Sequence, residues 1–383
     1  MNTEEDLFGT NGIRLTPVQW VVTILASLAI VAVVPRMWYQ AEGLEAAASY
    51  RVPYAVSADY ALYERHVASA DVNDVLVIGD SVVWGEYVST DGTLSHFLTE
   101  SQDERVYVNA GVNGLFPLAL EGLVSSYGTS IANRKVILHC NMLWLSSPEA
   151  DLNTEKERVF NHVELVPQFR LRIPCYRADV TERTAIVARR TLPHLRWVRH
   201  LQVAYYDGAS VPDWTLQDDG KYPPTYPNAY RNPLDPIRWA VPTESLPDAQ
   251  RGIESSRHQP WNAAGRGHQI FEWVALDGSL QWAAFQRLVK LLRHRGNDVL
   301  VVMGPFNEHM VSESSRAGYQ NNKEQAEAWF QGQSVPVISP TVLPSELYGD
   351  ASHPLTGGYK KLAAELLDHP EFKSWVVGHF RRK

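Results

Sequence analysis

Residues 75–87 read VLVIGDSVVWGEY. The continuous apolar run at 75–79 has the pattern of a strand buried on both faces. Gly79-Asp80-Ser81 then leads into a segment ready to become a helix. A side chain at the carboxyl end of a parallel strand stands where open α/β sheets gather their ligand-binding groups. Ser81 is therefore either a nucleophile or a hydroxyl in a tight turn. The remainder of the chain decides between them by supplying, or failing to supply, a base, an orienting acid and oxyanion donors.

Outward from this stretch the chain alternates. Residues 89–101, STDGTLSHFLTES, fit a capped helix carrying Leu94, Phe97 and Leu98. A strand is expected over RVYVNAG (105–111), a helix near 116–127, and a strand over KVILHC (135–140). This order predicts a parallel α/β sheet. From about 150 to 270 the chain becomes rich in Pro, Trp, Tyr and Arg, with helical character at 178–204. It reads as a partly helical insertion, either a cap over the sheet's ligand edge or a partner-binding face. Trp197, Trp214, Trp239 and Trp261 suit sugar stacking or core contacts equally. Regularity returns at 279–305, with Leu280, Phe285, Leu288 and Leu292 at helical spacing before a strand at 299–303. The expected fold is a three-layer α/β/α sandwich around a mainly parallel, flavodoxin-like sheet. Its body runs over 41–383, interrupted at about 150–275.

The N-terminus has a different character. Residues 15–34, LTPVQWVVTILASLAIVAVV, carry no ionisable side chain, with Trp20 near one end and Trp38 and Tyr39 beyond the other. Their length and aromatic flanks predict a membrane-spanning helix. The preceding segment is acidic and the apolar run exceeds a signal peptide's, so a retained anchor over 1–40, with a cytoplasmic tail, is expected rather than a cleaved leader. Arg14 and Arg36 flank it one on each side, so charge does not set its orientation. The net charge of −8, from 35 basic and 43 acidic residues, argues against nucleic acid as a partner. Cys140 and Cys175 form no metal-ligand pattern, and Cys140, ending an apolar run, reads as a buried thiol. Neither a metal nor a cofactor is expected.

Serine is a weak nucleophile until a base takes its proton, and that base works best when an acid holds its tautomer. GDASHPLTGGYKKLA places Asp350 and His353 three residues apart on a turn before the last long helix, where both can point back toward one crevice. Oxyanion donors are available at three strand ends: the Ser81 N–H, the two-glycine segment VNAGVNG (108–114), and the side-chain amide of Asn141. Asp80, adjacent to Ser81, reads as a structural turn carboxylate.

Taken together these segments resemble the SGNH (GDSL-like) hydrolases. VLVIGDSVVWG is similar to the family's first block, with the nucleophile at Ser81; YVNAGVNG is similar to the second, which implies Gly114 as an oxyanion donor, with Gly111 a second choice. The third block is matched only by Asn141, since His139, Cys140 and Met142 replace its usual Gly-x-Asn-Asp surroundings. The last block supplies Asp350 and His353. The similarity covers about 70–145 and 285–370 and leaves the insertion unexplained. It implies acyl-serine chemistry: an esterase or O-acyltransferase. The single anchor and large insertion resemble extracytoplasmic members that work beside multispanning membrane O-acyltransferases on acetyl groups of exported polysaccharides. VLVVMGPFNEHM (299–310) adds to that likeness and implies that Asn307 and His309 face substrate. Trp84 is a further expected substrate contact. The alternatives are a membrane-associated lipase or phospholipid esterase, and a non-catalytic scaffold subunit of an acyltransferase or export complex.

Overall fold

Five parallel strands form one sheet: β1 (Val75–Gly79), β2 (Tyr107–Gly111), β3 (Lys135–Cys140), β4 (Asp298–Met303) and β5 (Val337–Ile338). The computed structural model describes residues 15–44, 46–47, 49–101, 105–217, 231–241, 258–263, 265 and 267–378. The spatial order is β2-β1-β3-β4-β5, with Leu76 opposite both Val108 and Val136. The chain thus builds outward from β1 in both directions. The reversal between β1 and β3 opens a crevice at their carboxyl ends, the place where such sheets bind ligands.

β1 is buried throughout, and its alternate side chains serve two cores. Leu76 and Ile78 face the layer that contains α2 (Tyr60–Ser69), α5 (Pro117–Tyr127), α9 (Leu280–His294) and α10 (Glu313–Gly332). Val75 and Val77 face α4 (Leu94–Glu100), α11 (Thr356–Asp368) and α12 (Pro370–Val377). The result is the expected α/β/α sandwich. α9 illustrates why the sequence forms these helices. Ser279 caps it by accepting from the Trp282 N–H at 2.9 Å, and Phe285, Leu288 and Leu292 line its buried face. Cys140 and Cys175 are buried free thiols.

The apolar N-terminal segment is a single helix, α1 (Pro17–Ala41), started by a Thr16–Gln19 capping box. It is long and apolar enough to cross a membrane, with a window mean hydropathy of 2.2 and none of that window buried. It continues past the charge-free run through Pro35 and Arg36, because its last turn packs on protein. Trp38 meets Trp197 and Trp239 at centroid distances of 5.8 and 4.5 Å.

Inside the insertion lie α6 (Val180–Thr191), α7 (Pro193–Tyr205) and the short α8 (Val211–Thr215). α7 is fastened to both the anchor and the body through buried His200. Its Nδ1 lies 2.6 Å from Asp59, the N-cap of α2, and its Nε2 lies 3.0 Å from Glu42, the C-cap of α1. Arg65 and Tyr205 also donate to the Glu42 carboxylate. Of the insertion tryptophans singled out above, Trp197 and Trp239 pack on the anchor, Trp214 on Tyr206, and buried Trp261 donates to Ser345. They serve as packing contacts, and none lines the cavities beside the candidate site described below.

Candidate active site

Immediately after β1 the chain makes a single helical turn, α3 (Ser81–Trp84), which presents the Ser81 side chain at the crevice. Asp80 builds that turn. Its Oδ1 accepts from the Val82 N–H at 2.9 Å, and its Oδ2 accepts from the Asn141 amide at 2.9 Å and the Trp144 indole at 3.0 Å. Burial works against the Asp80 charge, but the neighbouring His139 and these donors outweigh it and lower the pKa. Fully engaged, Asp80 is the structural carboxylate expected from sequence.

The Ser81 Oγ lies 2.8 Å from His353 Nε2, and His353 Nδ1 lies 2.8 and 2.7 Å from the two Asp350 oxygens. The tautomer follows from the partners. An ionised Asp350 only accepts, so Nδ1 carries the proton and Nε2 accepts from the Ser81 hydroxyl. Asp350 also accepts from the Ser352 and His353 N–H groups, each at 2.9 Å, and from the Tyr87 hydroxyl at 3.0 Å. Burial opposes its charge, but His353 and these N–H groups hold it well below the usual carboxylate range. For His353, burial disfavours the imidazolium; Asp350 outweighs that, with Asp80 and Glu86 adding, and raises the pKa. The arrangement can move a proton from the hydroxyl to the imidazole and stabilise the cation that results.

The backbone N–H groups of Ser81 and Gly114 bond to nothing among the described residues. Gly114 has φ +76°, a conformation that favours glycine. Gly111, the second choice, is excluded as a donor. Its N–H is bound by Asn109 at 3.0 Å, and a Cβ there would lie 2.4 Å from the Trp84 nitrogen, so its role is close packing of β2 against α3. The Asn141 amide shares one face with Asp80, and its Oδ1 accepts from the Leu143 N–H at 3.0 Å. Its second amide hydrogen is left for another acceptor.

Of the three residues expected to face substrate, Trp84 and Asn307 are buried and engaged elsewhere. Trp84 has no exposed surface; its indole donates to the Val52 carbonyl at 2.6 Å and Arg51 lies over its ring. The short helix turns it inward, away from the crevice. Asn307 is fully buried and donates to the Asp350 carbonyl at 3.0 Å. His309 lies at the surface and hydrogen-bonds the Leu343 carbonyl at 3.0 Å.

Sequence reasoning missed Tyr87, which donates to Asp350 and sets its ring edge-on to His353 at 5.4 Å. It adopts φ +69°, rare for a non-glycine residue, and no local pattern announces that. Also missed were Glu86, Asn113, Asn161 and His162, which lie around Gly114. Asn113 donates to Glu86, and His162 is held between the Tyr60 hydroxyl at 3.0 Å and the Asn113 carbonyl at 2.7 Å. Burial lowers the His162 pKa and favours its neutral form. Among the described residues no cluster of His, Cys, Asp and Glu has the makings of a metal site. No family model matches the chain, and neither does any curated protein sequence.

Proposed function

We propose that the protein is a membrane-anchored serine esterase or O-acyltransferase of SGNH type, carrying ester-linked acyl groups to or from a cell-surface or exported polysaccharide through an acyl-Ser81 intermediate. The observation that supports this reading above all is the unbroken chain of contacts from Ser81 Oγ through His353 to Asp350. In this mechanism Ser81 attacks the ester carbonyl while its proton passes to His353 Nε2. The N–H groups of Ser81 and Gly114 and the Asn141 amide hold the oxyanion. His353 then protonates the departing oxygen, and water or an acceptor hydroxyl repeats the sequence in reverse. The extracytoplasmic placement of the domain and a multispanning acyltransferase partner rest on the anchor and on resemblance.

A fluorophosphonate serine probe tests the chemistry on the full chain in lipid nanodiscs. It should label the wild type and leave Ser81→Ala and His353→Ala largely unlabelled; equal labelling of all three ends the proposal. Adding glycan hydroxyls to a turning-over ester assay separates transfer, which yields acylated glycan, from hydrolysis, which yields free acid.

A further inference from the structure

Two cavities meet at Gly114 and Asn161, and their chemistry differs. One, of about 350 Å³, is the more apolar: Phe116, Leu118, Ala119, Leu152, Phe160 and Val166 line most of it, with Glu149, Arg158 and Gln281 at its polar edge. The other, of about 520 Å³, is bounded by Glu86, Asn113, His162, Glu164 and Arg199. The insertion supplies one wall of each.

We infer that the apolar cavity receives the acyl chain and the polar cavity the hydroxyl-bearing acceptor, so that the protein transfers chains several methylenes longer than acetyl. This rests on the reading of Ser81 as the acyl carrier, and it replaces the acetyl group that resemblance suggested. A donor in the oxyanion hole lies about 3 Å from the carbonyl oxygen. With Gly114 in that role, the carbonyl sits beside a residue that borders both cavities, and the alkyl substituent is assigned to the more apolar one because burial there removes it from water. About 10–15 Å³ suffices to hold one water, so acetyl would leave most of this apolar space unfilled. A longer chain fills it and removes apolar surface from water.

The acceptor is constrained from the other side. Its hydroxyl must come within about 2.6–3.2 Å of His353 Nε2 to lose its proton. Glu86 belongs to the polar cavity, its N–H bonds the Ser81 carbonyl at 3.0 Å, and the adjacent Tyr87 donates to Asp350 at 3.0 Å, which puts that cavity beside the Ser81–His353–Asp350 group. Its carboxylates, amides and guanidinium offer both donors and acceptors to a polyol. The step balances without a co-reactant. The acceptor oxygen bonds to the acyl carbon as the Ser81 Oγ–carbon bond breaks, and the acceptor's proton returns to Oγ through Nε2.

The test is a series of 4-nitrophenyl esters from acetyl to decanoyl, given to the full chain in nanodiscs. Because one methylene bound in an apolar pocket changes kcat/KM by about tenfold or more, octanoyl should exceed acetyl by at least that factor. Ala119→Phe narrows the cavity and should lower the octanoyl-to-acetyl ratio. Phe116→Ala widens it, should raise the decanoyl-to-octanoyl ratio, and decides the matter if Ala119→Phe does not fold. Arg199→Ala should raise KM for a polyol acceptor and leave the chain-length ratios alone. If the fluorophosphonate labels Ser81 but activity falls steadily from acetyl and neither cavity variant moves the profile, this inference is overturned and the Ser81 chemistry stands. If Ser81 does not label, both fall together.

Discussion

Asn307 donates its side-chain amide to the Asp350 main-chain carbonyl at 3.0 Å while its own N–H bonds the Ala351 carbonyl at 2.9 Å. The loop after β4 therefore holds the turn that carries Asp350 and His353. Asn307→Ala leaves the Asp350 carbonyl short of a buried donor, at a cost of about 1–3 kcal/mol of stability. Because small misplacements of reacting groups are expensive, kcat should fall by up to about 10²-fold with KM nearly unchanged. Steady-state ester hydrolysis together with a melting curve checks this. A variant that raises KM and keeps kcat would instead place Asn307 against substrate.

Asp350→Asn removes the main influence that raises the His353 pKa. In the wild type the raised value means that the neutral, proton-accepting imidazole prevails only at higher pH than for an ordinary histidine. The acid limb of kcat/KM should lie correspondingly high. In the variant that limb should move down, and the maximum should fall by about 10⁴-fold through loss of the tautomer. A pH profile of both proteins decides it. An acid limb at the same pH in each would remove Asp350 from the site's electrostatics.

The strand VLVIG and the Asp350–His353 turn were legible because each is a local pattern, a buried run and a three-residue spacing before a helix. The meeting of Ser81 with His353 across 272 residues followed from placing Ser81 at a strand end and His353 on a turn aimed back at the same crevice. Trp84 was misplaced because closeness in sequence to Ser81 says nothing of direction, and one helical turn sends it into the core. Tyr87 and Asn307 act through tertiary contacts made by strained or buried backbone, which leave no periodic trace. The insertion's aromatic composition is the same for a core as for a sugar platform. Only the docking of Trp38 on Trp197 and Trp239 told them apart.

Gly111, which ends β2, and Gly114 just beyond it should respond oppositely to alanine. At Gly111 a Cβ would meet the Trp84 backbone nitrogen at 2.4 Å, so Gly111→Ala should fail to fold. At Gly114 the clash is with the flexible end of Asn161, at 2.8 Å, and the main cost is the positive φ, about 1–2 kcal/mol. Gly114→Ala should therefore fold and lose about 10²–10³-fold in kcat as its N–H shifts from the oxyanion. Circular dichroism and ester turnover of both variants test the pair. A folded, fully active Gly114→Ala removes that residue from the oxyanion hole.

His200 predicts how pH acts on the joint between anchor and body. Burial disfavours its charge, but Asp59 and Glu42 prevail and raise its pKa from 6.5 to about 9. Burial likewise opposes the Glu42 charge, yet His200, Tyr205 and Arg65 lower its pKa from 4.5 to about 2. The raised histidine stabilises fully below its unfolded value of 6.5 and loses that contribution as pH climbs through about 9. The lowered carboxylate stabilises fully above 4.5 and loses its part as pH falls toward about 2. Stability from this cluster is therefore greatest between those unfolded values and declines on both sides. His200→Ala takes the shared cation from two buried carboxylates, of which only Glu42 keeps a second cation in Arg65, and should cost about 3–5 kcal/mol near neutral pH, the penalty shrinking as alkali removes the wild-type charge. Melting temperatures of both proteins from neutral pH to about pH 10 test the sign: the curves should converge as pH rises, and a constant gap would mean that His200 is not charged in the fold.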